Sequence, residues 1–497
     1  MTVVVGSERP VTGRKTRGSE PPNSTPALWH GATRFRLTSI AFRSNFRCSN
    51  RRSVDNGAKA VGRCSARNLL VSKLPRLVRM RSPTKVGSLV IAAGVALVLT
   101  SCSNGSAGSD SASPTQMADQ AQTAALKALT DGALVKYKQK SVIVRVVKDG
   151  VDLYTGAAGE SMTGVPATTA MHTRNGAFAF TYIGETYAKM ADQNVINLDE
   201  PISKWLPDLR DSSKVTIRNL LNMTSGYPDY VYQPAVQDGV QADPYKQWTD
   251  DEMIAVALSR PNYFAAGTNW GYSHTNYVIL GKLLSKITGK STSDVLSEYV
   301  LQPMQLNNTS SNGGTPAVPD PALHSFTSER RSFLKVPQKL PFYEEATFWN
   351  PSWTTANGAV QTSNVFDITT SMQIVGSGSQ VSPEMYKQQV GPNLVGFGKK
   401  DPTGTCPVCR TLTPELNYGF GVVINGDWIT QTKSFYGSSA SGGYLPSEKL
   451  TISVIANTAA DGFGPDGAYL NQNASFSMFT DIANLVAPGQ APPPRAG

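Results

Sequence analysis

Three groups of side chains in this 497-residue chain have types and spacings that chemistry uses. Cys406-Pro-Val-Cys409 sets two thiols three residues apart. Zinc expects four ligands, and no further Cys or His lies close in sequence. A redox role would want a βαβ context, which the flanking sequence lacks. In an exported chain the default is a disulfide, here closing so short a loop that it contributes roughly 2 kcal/mol in the chain-entropy model. Ser332-Phe-Leu-Lys335 has the Ser-x-x-Lys spacing. On a helix that spacing sets an amine one turn from a hydroxyl, ready to take its proton as the Ser attacks a carbonyl. Pro337 follows at once, so no long helix carries this pair, and its spacing is coincidental. Tyr272-Ser-His274 joins a phenol, a hydroxyl and an imidazole, the side chain most often used as a general base. No Gly-rich phosphate loop, metal triad or internal repeat accompanies them.

The elements that must position these groups begin late in the chain. Residues 1–101 hold 18 Lys and Arg against 3 Asp and Glu, and the remainder holds 28 against 33. The formal charge of +10 therefore belongs to the N-terminal segment. A nucleic-acid-binding domain would carry its basic patch on folded structure, so no nucleic-acid partner is expected. Residues 1–79, rich in Arg, Ser, Asn and Gly, read as a disordered or non-native extension. Residues 80–101 read as a signal peptide: Arg81 and Lys85 precede the uncharged run 86–100. That run is short of the ~20 residues a bilayer-spanning helix needs. It ends in Leu99-Thr-Ser-Cys102, which resembles a bacterial lipobox, where cleavage before the Cys leaves it to carry lipid. The expectation is a protein exported and lipid-anchored through Cys102 to the outer face of the bacterial cell membrane. Residues 102–120 read as a flexible tether, 121–487 as the folded domain and 488–497 as a Pro-rich tail.

Within the domain, residues 118–137 have an amphipathic helical pattern. Residues 141–147 and 151–156 read as strands joined by Lys148-Asp-Gly150. Residues 173–192 are central. Gly176 heads a helix on which Phe178, Phe180, Tyr182, Ile183, Tyr187 and Met190 form one broad apolar face.

Longer segments carry a resemblance. They are Val215-Thr-Ile-Arg-Asn-Leu-Leu-Asn-Met-Thr-Ser-Gly226 with Tyr-Pro-Asp229, and Phe264-Ala-Ala-Gly-Thr-Asn-Trp270 running into Tyr272-Ser-His-Thr-Asn-Tyr277 and a helix over 278–290. Pro351-Ser-Trp353, Ala356-Asn-Gly-Ala359 and Thr362-Ser-Asn364, then a strand pair over 418–424 and 450–457, complete the set. In this order, over about residues 126–486, they resemble the class C β-lactamase and DD-peptidase family. The resemblance implies an α/β, β-lactamase/transpeptidase-like fold: an antiparallel sheet flanked by helices, with a mostly helical insert. It implies acyl transfer to a Ser, then hydrolysis of a β-lactam, ester or D-Ala peptide, with no cofactor and no metal.

Family chemistry needs three motifs in one cleft, and this chain departs at each. Counting back from Asn197-Leu-Asp-Glu-Pro201 puts Ala177 at the nucleophile and Phe180 at the Lys of Ser-x-x-Lys. Ala cannot attack, and Phe cannot accept a proton. The Tyr-x-Asn motif is half kept, as Tyr272 with His274 in place of Asn. The third motif, a Lys or His near Gly on the cleft strand, falls on Tyr436 or Gly437. The sequence therefore points to a catalytically inactive relative. Its aromatics Tyr227, Tyr230, Tyr232, Trp270, Trp349 and Trp353 read first as core packing, and on a sharper hypothesis as the lining of a groove for peptidoglycan or an acyl or peptide ligand. The competing expectation is an active hydrolase with a relocated nucleophile, Ser225, Ser273 or Ser438, served by Tyr272 or His274. The export reading has its own check: intact-mass analysis of the mature protein should give an acylated Cys102 N-terminus, and an unlipidated N-terminus upstream of it would refute the anchor.

Overall fold

The computed structural model describes residues 114–494, apart from 312, 313 and 392. The signal segment, Cys102 and most of the tether lie outside them. Helix α1 (Pro114–Lys136) opens the fold. It starts inside the expected tether, because Pro114 is well placed in a first helical turn, where the missing N–H is not needed. Strands β1 (Gln139–Lys148) and β2 (Val151–Met162) form the expected hairpin, turned by Asp149 and Gly150 at φ 48° and 79°. After β3 (Val165–Pro166) and β4 (Thr173–Arg174) comes α2 (Phe178–Asp192). The insert follows: α3 (Ile217–Leu221), α4 (Pro234–Ala242), α5 (Asp250–Leu258), α6 (His274–Thr288) and α7 (Thr292–Leu296). It continues through the short strands β5 (Ser310–Ser311), β6 (Phe326–Thr327), β7 (Glu344–Glu345) and β8 (Gln361–Ser363) to α8 (Val365–Ser377) and α9 (Pro383–Val390). The chain then returns as β9 (Asn417–Tyr418), β10 (Val423–Asn425), β11 (Trp428–Phe435), β12 (Ser438–Leu445) and β13 (Leu450–Thr458), and ends in α10 (Ala474–Val486).

The main sheet has eight antiparallel strands in the order β3-β2-β1-β13-β12-β11-β10-β9. Alternation along the strands sorts its two faces. Val142, Val144 and Val146, with Ile452 and Val454, pack under α1 and α10. Ile143 and Ile455 point the other way, with Phe178 of α2 and Ile368 and Met372 of α8. Two expectations change. The strands expected to pair over 418–424 and 450–457 are separated by β11 and β12, and Gly419-Phe-Gly421 turns the first of them into two short strands. Part of the Pro-rich tail is held: Trp428 Nε1 donates to the Gln490 carbonyl at 2.6 Å, and Asn425 Nδ2 to that of Pro493 at 2.9 Å.

Helix α2 is buried on every side from Phe178 to Met190, not on one face alone. Such a helix runs through a core. Its Glu185 and Lys189 face each other at 3.6 Å, with Gln389 on the carboxylate at 2.8 Å; burial raises the Glu185 pKa and lowers that of Lys189. The helix lies unusually close to its neighbours. A Cβ on Gly184 would sit 2.0 Å from the Phe420 carbonyl oxygen, and one on Gly421 2.0 Å from that of Phe180. Backbone cannot swing aside as a flexible side chain does. Gly184→Val should therefore lower unfolding stability by about 2–3 kcal/mol in urea titration. Gly132→Ala in α1, where nothing lies within 4 Å, should leave it unchanged or raise it slightly.

Candidate active site

Ala177 is the N-cap of α2 and offers no side-chain cap. It is half-buried at the helix head, where a nucleophile would stand. One turn on, Phe180 is 1% exposed and stacks on Tyr277 of α6, with ring centroids 4.2 Å apart at 13°. It meets His274 edge-on at 5.6 Å and lies tilted against Tyr272 at 6.3 Å. Three of the expected motif positions, Phe180, Tyr272 and His274, therefore meet in one aromatic cluster, with Tyr272 and His274 5.1 Å apart.

His274 is the first residue of α6. Its Nδ1–H donates to Asp229 Oδ2 at 2.8 Å. The Asp229 side chain is fully buried, and its Oδ1 accepts the Val231 N–H at 3.0 Å. A carboxylate fixed in this way orients the imidazole and leaves Nε2 as the ring's acceptor. This is the base half of a charge-relay arrangement. The nucleophile half is not beside it. Ser225 Oγ donates to Asn276 Oδ1 at 2.6 Å, while Ser273 and Ser438 are buried with no hydrogen-bond partner for their hydroxyls. None of the three bonds to His274.

Behind Tyr272 lies the bond between Cys406 and Cys409, formed as expected. Both sulfurs approach the Cβ direction of Gly271 to 3.2 Å, and the pair packs with Val408 against Tyr263, Phe264 and Tyr272. The disulfide thus backs one wall of the cleft. The six aromatics weighed as core packing or groove lining divide. Tyr227, Tyr230 and Trp270 are core, Tyr232 is 37% exposed, and Trp349 and Trp353 form a separate cluster with Phe435 and Tyr436.

The two positions expected for the third motif do not reach the helix head. Gly437, at φ 72°, makes the turn between β11 and β12, and Tyr436 belongs to the tryptophan cluster. The residue of β11 that reaches the helix head is Lys433. Its Cβ and Cγ lie 2.9 and 3.0 Å from where a Gly176 Cβ would be, and its Nζ donates to Thr173 Oγ1 at 2.7 Å. The expected positions, Tyr436 and Gly437, lie three and four residues beyond it. A Lys on a strand two pleats ahead of a turn Gly was the signal that would have found it. Lys433 is 3% exposed. Burial, and then the neighbouring Arg174 guanidinium, depress its pKa to about 7. Arg174 is itself buried, bonded to the Pro316 carbonyl with its Nε unpaired, and burial lowers its pKa to about 10. Neither cation has a carboxylate partner.

A cavity of about 420 Å³ lies at the far end of α2, lined by Lys189, Gln193, Tyr299 and Gln380. The Lys189 amine there is already bonded to Tyr299 and Gln380 and paired with Glu185, so the cavity adds nothing to the cleft. Among the described residues no cluster of His, Cys, Asp and Glu could hold a metal ion.

The Lys433 amine makes stability depend on pH. Between about pH 7 and the ordinary lysine value of 10.5 the unfolded chain binds a proton that the native chain does not. Stability therefore rises with pH across that window, and below it the full cost of burying the charge remains. Lys433→Met should be more stable than the parent at pH 6. The difference should shrink steadily toward pH 10, as read from urea midpoints; a constant difference would mean that Lys433 titrates normally.

Comparisons with known proteins agree with this geometry. The Beta-lactamase family profile matches residues 119–475. Penicillin-binding protein 4* of Bacillus subtilis is 30% identical over 120 residues, which cover 24% of this chain and 26% of that protein. The chain thus aligns with about a quarter of that relative's length. Among solved structures, the D-amino acid amidase of Ochrobactrum anthropi superposes with a TM-score of 0.60 at 18% identity, covering 74% of this chain and 99% of the amidase. A D-stereospecific amidohydrolase from Streptomyces gives 0.58 at 21%, covering 73% and 98%. These likenesses show a shared fold, and the profile match over most of the domain shows more: the chain belongs to the β-lactamase family.

Proposed function

We propose that this protein is an envelope-located member of the family that uses its cleft to bind rather than to turn over. The observation that carries the reading is the pair Ala177 and Phe180. The helix head that should present a hydroxyl and an amine presents a methyl group and a ring stacked on Tyr277. Removing the nucleophile of a comparable serine enzyme costs on the order of 10⁶ in turnover. What remains is a shelf of Ala177, Tyr272 and His274, each half-buried, over a filled floor. Relatives named for penicillin binding and for D-amino acid amide hydrolysis support a ligand class of peptidoglycan stem peptides and related acyl or D-amino acid compounds. On this reading Cys102 anchors the domain to the outer face of the cell membrane.

One observation favours a second reading. The His274–Asp229 pair at 2.8 Å has the geometry of a general base, so a hydrolase using another Ser is the alternative. Labelling with a fluorophosphonate and a fluorescent penicillin, followed by peptide mapping, separates the two. We expect no covalent adduct on the folded protein; an adduct on Ser225, Ser273 or Ser438 would overturn the binding reading. Ala177→Ser with Phe180→Lys should gain slow penicillin labelling at residue 177 over hours, against none in the parent.

A further inference from the structure

Between β6 and β7 the chain makes a long excursion, and its tip is unlike the rest of the surface. Phe333, Leu334 and Leu340 are 38%, 42% and 49% exposed there. Lys335 and Lys339 stand between them, exposed and in no ion pair. The tip is ordered from beneath. Arg331, 8% exposed, donates from one guanidinium nitrogen to the Pro337 carbonyl at 3.0 Å and from another to that of Leu340 at 2.9 Å, tying the two limbs together. Leu334 N–H bonds back to Arg330 at 2.9 Å, and Lys335 takes φ 55° to turn the chain. Arg330 is engaged by Glu344 at 3.0 Å and by the Gln241 carbonyl at 2.7 Å. The arginines at the base are thus consumed in building the loop, while the lysines at the tip are left for solvent. The loop's root is also fixed, since Tyr469 joins Glu329 at 2.7 Å to the Gly437 N–H at 2.6 Å.

We propose that the tip, residues 332–341, is a membrane-docking loop that inserts Phe333, Leu334 and Leu340 into the interfacial region of an anionic bilayer, with Lys335 and Lys339 on the lipid phosphates. Three exposed large apolar side chains on one rigid tip mark an interaction surface. Charge selects the occupant. Residues 102–497 carry 28 basic against 33 acidic residues, so a purely basic tip is a local exception that faces an anionic plane favourably. A protein interface would favour Arg, Tyr and Trp and deplete Lys. Phe and Leu flanked by lysines whose stems can reach up to the headgroups is the pattern of an interfacial anchor. The proposal depends neither on the cleft nor on acylation of Cys102.

Hydrogen exchange with mass spectrometry on the full chain tests it locally, whatever else holds the protein to lipid. With phosphatidylglycerol vesicles, amides of residues 332–341 should exchange at least about fivefold more slowly, and with phosphatidylcholine vesicles much less so. Phe333→Ser with Leu334→Ser should abolish the protection, and Lys335→Gln with Lys339→Gln should remove the preference for anionic lipid. All four positions are exposed, so unchanged thermal midpoints should accompany the loss. Equal exchange with and without vesicles would overturn the proposal. So would protection that appears without lipid and falls on dilution, since a second copy of the chain would then be the occupant.

Discussion

The site depends on the closeness with which α2 lies against backbone. Gly184 meets the Phe420 carbonyl, Gly421 meets that of Phe180, and Gly442 leaves room for the Phe178 ring. Thr181 Oγ1 and Gln431 Nε2 both donate to the Gly421 carbonyl at 2.8 Å, so the turn before β10, the helix and β11 share one acceptor. A glycine inside a helix costs about 1 kcal/mol relative to alanine. Here the missing side chain lets two backbones touch, and close-packed interiors do not relax around such contacts. The register of α2 against β11 is therefore fixed. That register sets Gly176 beside Lys433 and turns Phe180 toward Tyr277.

Much of the fold was legible because it is written in local patterns. The hairpin of β1 and β2 announces itself through alternating valines and Asp149-Gly150. The order of segments from residue 215 onward carried the family likeness. What the sequence could not show was how strands meet across long separations. The segment around residue 420 looked like one strand because its apolar residues run on, yet Gly419 and Gly421 bend it where α2 presses in. At the site, counting back from the Asn197-Leu-Asp-Glu-Pro201 turn leads to Ala177 and Phe180, which the structure has at the N-cap and in the first turn of α2. Lys433 was missed. Its role comes from contact with Gly176 across more than 250 residues, and only the β11–β12 register reveals which residue of the strand reaches the helix. The His274–Asp229 pair was hidden likewise, because its members, one in the loop after α3 and one at the head of α6, stand 45 residues apart.

The replacements at the helix head have unequal physical consequences. Phe180 exchanges a buried amine for a ring that stacks on Tyr277 and meets His274 edge-on, a change that removes a desolvation cost and adds aromatic contact. Had the whole cleft drifted toward stability, the other buried cations would be expected to go as well. Lys433 and Arg174 remain, side by side and without a carboxylate, and each is held against its own desolvation. On the binding reading, the site lacks the groups that change bonding during acyl transfer and keeps groups that hold charge and hydrogen bonds in fixed places. Fixed groups of that kind accelerate chemistry only where charge develops against them in the transition state. With no hydroxyl at residue 177 to begin an attack, what they supply on this reading is a lower free energy for a bound ligand. On the binding reading, an oriented imidazole and a phenol beside a methyl group where attack should begin serve to hold a ligand rather than to turn it over.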